Sequence, residues 1–280
     1  MFYVDYASRE YLIERYKNDP NVDPQKIVEV DGIWGESTLQ QVTQPFGLVD
    51  RVVASHVIEH VPNLIAWLGE IQSILKEGGT LALAIPDQRF TFDYLRRPTQ
   101  IADLLDSFFQ KRRIPSARDV FDHLMNFCAV DAKQAWAGRY PHQSVHQNLG
   151  LEEAAQLADS INLDGVYHDV HCLVFTPLSF ATIMSDLASY RLHSFACDQF
   201  FDTECNDIEF LLRLRYTKDH TEVMESWARI ERWLGKNNKD MLGFRARGGN
   251  SSTIFVRLKQ WIPQPIKAFL KQHFLNRNHH

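Results

Sequence analysis

Apolar and polar positions change period along this chain, and the changes divide it into elements. Residues 2–6 (FYVDY) form a short apolar run ending in an acid, which predicts a strand. Residues 8–18 follow with helical spacing. Tyr11, Leu12 and Tyr16 share one side, Ser8 is placed to cap, and Asp19-Pro20 stops the helix. Residues 26–30 (KIVEV), closed by Asp31-Gly32, predict a second strand, and residues 49–55 (VDRVVAS) a third. Pro62-Asn63 then opens a helix in which Leu64, Trp67, Leu68, Ile71, Ile74 and Leu75 recur at three- and four-residue steps. Gly78-Gly79 is placed to end it. Residues 80–85 (TLALAI), closed by Pro86-Asp87, read as a strand covered on both faces. Strand, helix and strand at this spacing make a βαβ crossover.

Residues 93–160 carry many charges and breaks at Pro98, Pro115 and Pro141, and read as a helical insertion. Residues 168–175 (HDVHCLVF) predict a strand. On it Asp169 and His171 share one face, while His168, Val170 and Cys172 share the other. Thr176-Pro177 opens a helix that buries Phe180, Ile183, Met184 and Leu187. Residues 192–201 and 207–216 predict an antiparallel hairpin, with Arg213 and Arg215 facing outward. The tail is helical from 221. Within it, residues 257–275 set Trp261, Ile262, Ile266, Phe269, Leu270 and Phe274 beside Lys259, Lys267 and Lys271. This stripe is expected to pack on its own domain or a partner, with peripheral membrane contact as the alternative. The boundaries drawn are 1–217 for the main domain and 218–280 for a C-terminal helical extension.

Composition narrows the classes. The chain has 280 residues, 45% of them apolar, and a formal net charge of -5. It can bury a full core without staples, and no basic field invites nucleic acid. Its four cysteines form no CxxC pair, which reads as free thiols in a reducing compartment. There is no run of about 18 uncharged apolar residues, and a cytoplasmic location is expected.

The run from Val49 to Pro86 resembles the middle of class I S-adenosylmethionine-dependent methyltransferases. There a strand and a segment like VASHVIEHV precede a helix ending in a lysine and a double glycine, here LKEGG. NDPNVDPQKIVEVD, FTFDYLRRPT and YHDVHCLVFTP are similar to segments of methyltransferase-domain proteins associated with surface-polysaccharide gene clusters. The resemblance covers roughly residues 1–217. It implies an α/β Rossmann-like sheet, mostly parallel, with an antiparallel hairpin at one edge and a helical insertion. S-adenosylmethionine would lie beyond the carboxyl ends of the strands. Asp5, with Tyr6 beside it, would hold the ribose hydroxyls. Asp31 would meet the adenine amino group, with Gly32 and Ile33 packing near the ring. Ser55 and His56 would face the methionine end. The family's first strand and glycine-rich loop are expected ahead of FYVDY and are not found in this sequence. That leaves open a longer natural enzyme or a paralogue that no longer binds the cofactor.

The same resemblance implies methyl transfer to an oxygen or nitrogen of a small acceptor, a sugar or glycan by family association, with a non-catalytic scaffold as the alternative. His56 is a candidate catalytic group or a hydrogen-bonded core histidine, and His60 is expected to pin its loop. Asp87, with Arg89 after it, is a candidate base or substrate clamp, or else a turn former. His171 paired with Asp169 suits removal of an acceptor proton, because a neutral imidazole titrates near about 6.5; the other reading is packing alone. Tyr94, Arg96 and Arg97, with His168, are candidates to grip an acceptor's phosphate or carboxylate. A metal needs three or four convergent ligands. Only two or three are local in sequence, so no metal site is assigned.

Overall fold

A computed structural model describes residues 1–18, 22–35, 37–140, 150–165 and 167–243, and the structural statements concern these. They fall into two units, residues 1–42 with 240–243, and residues 43–239.

The first unit holds β1 (Val4–Asp5), α1 (Arg9–Tyr16), β2 (Gly32–Ile33) and the start of α2 (Leu39–Thr43). Ser8 caps α1, its hydroxyl accepting from the Tyr11 amide at 3.3 Å. β1 and β2 run parallel, with Val4 opposite Gly32 and Asp5 opposite Ile33. The strand expected over 26–30 does not form. Asp23 and Pro24 set a 3-10 turn over Pro24–Lys26, and the Ile27 carbonyl accepts from Arg9 Nε at 2.8 Å instead of from a strand. The ladder starts later, where the Tyr3 carbonyl accepts from the amides of both Asp31 and Gly32.

In the second unit, β3 (Val49–Ser55), α3 (Leu64–Ile74) and β4 (Leu75–Pro86) form the expected parallel crossover, with Val53 opposite Ala82 and Ser55 opposite Ala84. Asn63 caps α3, accepting from the Ala66 amide at 3.1 Å. The α3 stripe, including Trp67, Leu68 and Ile71, is buried. The glycine pair does not cap α3, because β4 begins at Leu75. Gly78 sits at φ +79, and a Cβ on Gly79 would stand 2.8 Å from the Lys76 carbonyl oxygen and 3.2 Å from that of Asp50 in β3. The pair therefore turns the strand and lets its backbone close on β3.

The insertion is helical as expected, with α4 (Ile101–Phe109), α5 (Ala117–Asn126), α6 (Ala132–Trp136) and α7 (Leu151–Asp164). Val120 of α5, Ala158 and Ile161 of α7, and Val170 make a small core of their own. The strand expected over 168–175 is an extended segment with no ladder. Its backbone is satisfied by loops: the Cys172 and Leu173 amides donate to the Glu59 carbonyl at 2.7 and 3.0 Å, and the Val174 amide donates to the Thr99 hydroxyl at 2.8 Å. Phe175 alone forms a bridge, to Asp87.

α8 (Pro177–Ser189) starts at Thr176, whose hydroxyl accepts from the Ser179 amide at 3.1 Å. β5 (Phe195–Phe201) and β6 (Glu209–Tyr216) form the expected antiparallel pair. β6 lies next to β4, giving the order β3-β4-β6-β5. This sheet has one parallel and two antiparallel pairings, so it is mixed where a mostly parallel sheet was expected. The short link between β5 and β6 allows no parallel crossover. α9 (His220–Gly243) buries Trp227 against Phe180, ring centroids 5.9 Å apart, and the indole N–H donates to the Phe195 carbonyl at 2.8 Å. The fold is α/β and Rossmann-like. No helix among the described residues is long and apolar enough to cross a membrane. The amphipathic stretch 257–275 lies outside the described residues.

Candidate functional site

In the first unit, Asp5 ends β1 and Asp31 stands just before β2. Each spends a carboxylate oxygen on backbone: Asp5 Oδ1 accepts from the Tyr6 amide at 2.7 Å, and Asp31 Oδ2 from the Tyr3 amide at 2.8 Å. Ile33 is half exposed. Gly32 does not offer open space to an adenine ring, because Val42 and Phe2 fill the position a side chain there would take.

In the second unit, the carboxyl ends of β3 and β4 carry a dense set of ionisable groups. β3 ends at Ser55, and His56 follows in the left-handed region at φ 51, its amide donating to the Ala84 carbonyl at 3.0 Å. Histidine is among the non-glycine residues enriched in that region. Glu209, the first residue of β6, meets its ring: Oε2 lies 2.7 Å from His56 Nε2. Nδ1 of the same ring lies 3.4 Å from Glu59 Oε1. Burial alone would lower the His56 pKa, but the Glu209 hydrogen bond and the charges of Glu59 and Glu209 outweigh it and raise it.

Glu59 and His60 occupy the 3-10 turn Ile58–His60. His60 Nδ1 lies 2.9 Å from Asp169 Oδ1, an ion-pair contact. Burial pushes the His60 pKa down, and Asp169 followed by Glu59 more than reverses this. His171 does not pair with Asp169, because the segment is not a strand and the alternation does not apply. His171 Nδ1 instead lies 2.5 Å from Asp93 Oδ2. Asp93 also accepts from Arg96 Nη1 at 2.9 Å, and Arg96 Nε donates to Asp122 at 2.8 Å. Burial would raise the Asp93 carboxyl, yet His171 and then Arg96 bring it down to about 2. His123 lies beside this chain of pairs, 5.8 Å from the His171 ring, and burial, with His171 and Arg96 nearby, lowers it to about 4.

Two expected roles change. Asp87 is fully buried and internally saturated: Arg89 Nε donates to Oδ1 at 3.0 Å, while Arg89 Nη2 and the Thr203 hydroxyl both donate to Oδ2 at 2.6 Å. It holds the β4 exit in place, with no oxygen left for a base or a substrate clamp. Arg96 is buried between Asp93 and Asp122 and is not presented to a ligand as a free cation. Arg97 is partly exposed and paired with Asp103, and Tyr94 stacks on Tyr140 with centroids 4.4 Å apart. His168 is half buried on the extended segment. Between α4, α5 and residues 172–174 lies a cavity of about 710 Å³, lined by Arg97, Arg112 and Arg118 with Asp103, Asp106 and Asp119.

Glu59, His60 and His171 place one ligand atom each within 4.8 Å of one another. The premise behind assigning no metal, that only local ligands exist, therefore fails: the fold brings a third from a distant segment. Asp93 and Glu209 were not singled out in the sequence. Asp93 stands in FTFDYLRRPT beside the residues that were.

A family model described as a methyltransferase domain matches residues 7–186. No curated protein matches the chain. Among solved structures, a candidate hemolysin from Streptococcus thermophilus is 13% identical, with 73% of this chain and 50% of that one covered and a TM-score of 0.23. The chain thus spans about half the length of that relative. A SAM-dependent methyltransferase from Methanosarcina mazei is 14% identical, with 76% and 80% covered and a TM-score of 0.33.

Proposed function

This chain belongs to the methyltransferase-domain family, and we propose that it transfers a methyl group from S-adenosylmethionine to an oxygen or nitrogen of a small acceptor, a sugar or glycan by family association. The family match over residues 7–186 supports the methyl-transfer part of this reading, and the acceptor class rests on the sequence resemblance alone. Within residues 1–42, Asp5, Tyr6, Asp31 and Ile33 are the candidate nucleoside contacts. Within residues 43–239, Ser55 and His56 are the candidates for the reacting end, and Arg89, Tyr94, Arg97 and His168 for the acceptor.

The chemistry is an in-line displacement. The acceptor's lone pair forms a bond to the methyl carbon as the carbon–sulfur bond breaks, and the electron pair leaves on sulfur. Holding the two reactants in line supplies most of the rate. The acceptor's proton would go to the His56 imidazole, and Glu209 on Nε2 would stabilise the imidazolium that forms. A second reading, a scaffold that does not bind the cofactor, draws support from Asp5 and Asp31, whose carboxylates already serve backbone amides.

The test incubates the chain with isotopically labelled S-adenosylmethionine and a panel of sugars and nucleotide sugars, followed by mass spectrometry. A labelled methyl group on one acceptor, with turnover reduced about 100-fold or more by His56→Gln, is the expected result. No S-adenosylmethionine binding by the folded chain, with no transfer to any acceptor, favours the scaffold.

A further inference from the structure

The side chain of Glu59 is 1% exposed; His56 Nδ1 lies 3.4 Å from Oε1, and neither carboxylate oxygen accepts a hydrogen bond. Its backbone carbonyl, by contrast, is fully used, accepting from Cys172 and Leu173. A buried carboxylate without hydrogen bonds is among the least favourable arrangements in a folded chain, and such groups persist where a cation meets them.

The surroundings have the chemistry of a cation site. His60 and His171 each bring a ring nitrogen into the same small space as the Glu59 carboxylate, with all three ligand atoms within 4.8 Å of one another. The two imidazoles meet edge to face, centroids 4.7 Å apart. Each already has Nδ1 against a carboxylate: His171 on Asp93 at 2.5 Å, and His60 on Asp169 at 2.9 Å. That leaves the opposite nitrogen of each ring, and a carboxylate behind a ligating histidine is the usual outer support of a metal site. Arg96 fixes Asp93 in turn at 2.9 Å.

We propose that Glu59, His60 and His171 hold a divalent first-row transition-metal ion, with Zn²⁺ the natural occupant. Two imidazoles and one carboxylate suit zinc, whereas calcium and magnesium favour all-oxygen sets. Three protein ligands leave a fourth position for water or an oxygen of a bound molecule. The inference stands on residues 43–239 alone and does not depend on methyl transfer.

The test strips the purified chain with a chelator, confirms its fold by circular dichroism, and titrates it with Zn²⁺ by calorimetry and with Co²⁺ by visible absorption. One equivalent of Zn²⁺ should bind, and Co²⁺ should show the intense bands of a four- or five-coordinate site. Glu59→Gln keeps the side-chain shape and should weaken Zn²⁺ binding more than 100-fold. Asp93→Asn should weaken it about 10- to 100-fold. His220→Asn, a histidine outside the cluster, should leave it unchanged. If the variants fail to fold, X-ray absorption at the zinc edge of the parent chain decides, with two imidazoles and one carboxylate oxygen expected. No saturable binding by the folded, stripped chain overturns the proposal. Equal affinity in Glu59→Gln, or a zinc shell without imidazole, does the same.

Discussion

Asp93 and His171 are 78 positions apart in sequence and 2.5 Å apart in space, joined Oδ2 to Nδ1 in a buried pair. The contact anchors the extended segment 167–175 to the exit of β4, and Arg96 and Asp122 continue it. Asp93→Asn leaves Arg96 and His171 without their shared anion. Breaking one partner of a buried pair costs about 3–5 kcal/mol, and urea denaturation should show a loss in that range. A double-mutant cycle with Arg96→Gln should be non-additive by about 1 kcal/mol or more.

The turn inside β4 ranks two alanine substitutions. Gly78→Ala meets only backbone strain at φ +79, with nothing near its Cβ, and should cost about 1–2 kcal/mol. Gly79→Ala pushes a methyl group against the carbonyls of Lys76 and Asp50, both backbone atoms that cannot step aside. It should cost more than Gly78→Ala in thermal denaturation and loosen the pairing of β3 with β4.

Trp227 ties α9 to α8 through its ring against Phe180 and to β5 through its N–H on the Phe195 carbonyl. Trp227→Ala removes both and should destabilise the chain by about 3–5 kcal/mol. Trp227→Phe keeps most of the burial but strands the carbonyl, and should cost about 1–3 kcal/mol. Equal, small losses in both variants would mean that α9 does not contribute to this core.

His193 supplies a pH signature. Burial lowers its pKa to about 4, while its Nε2 is hydrogen-bonded to the Met184 carbonyl at 2.9 Å, and His220 adds to the lowering. The unfolded histidine titrates near about 6.5. Between about pH 4 and 6.5 the unfolded chain therefore binds the extra proton, and folding stability rises with pH through that window. The contribution is complete above about pH 6.5 and lost as pH falls towards 4, a change on the order of 3 kcal/mol. His193→Asn should flatten that part of the stability profile measured by urea titration.

Elements set by local periodicity were legible in the sequence. The α3 stripe, the Thr176 cap, β3 and the β5–β6 hairpin depend on neighbours within a few positions, so their signals are local. The segment 168–175 was not legible, because its apolar run is buried by loops that no periodicity encodes. The site shows the same divide. His56 could be placed at a strand end, but Glu209, its partner, lies 153 positions away. Arg96 looked like a ligand grip because Asp122, which lies 26 positions away, meets it only once the insertion folds back, while Asp93, three positions away, was not singled out.

The account rests on a methyltransferase domain that binds its cofactor, and calorimetric titration of S-adenosylmethionine into the folded chain tests that most directly. It predicts saturable one-to-one binding, weakened about tenfold or more by Asp31→Ala. A flat titration against a chain whose circular dichroism spectrum is native would contradict it.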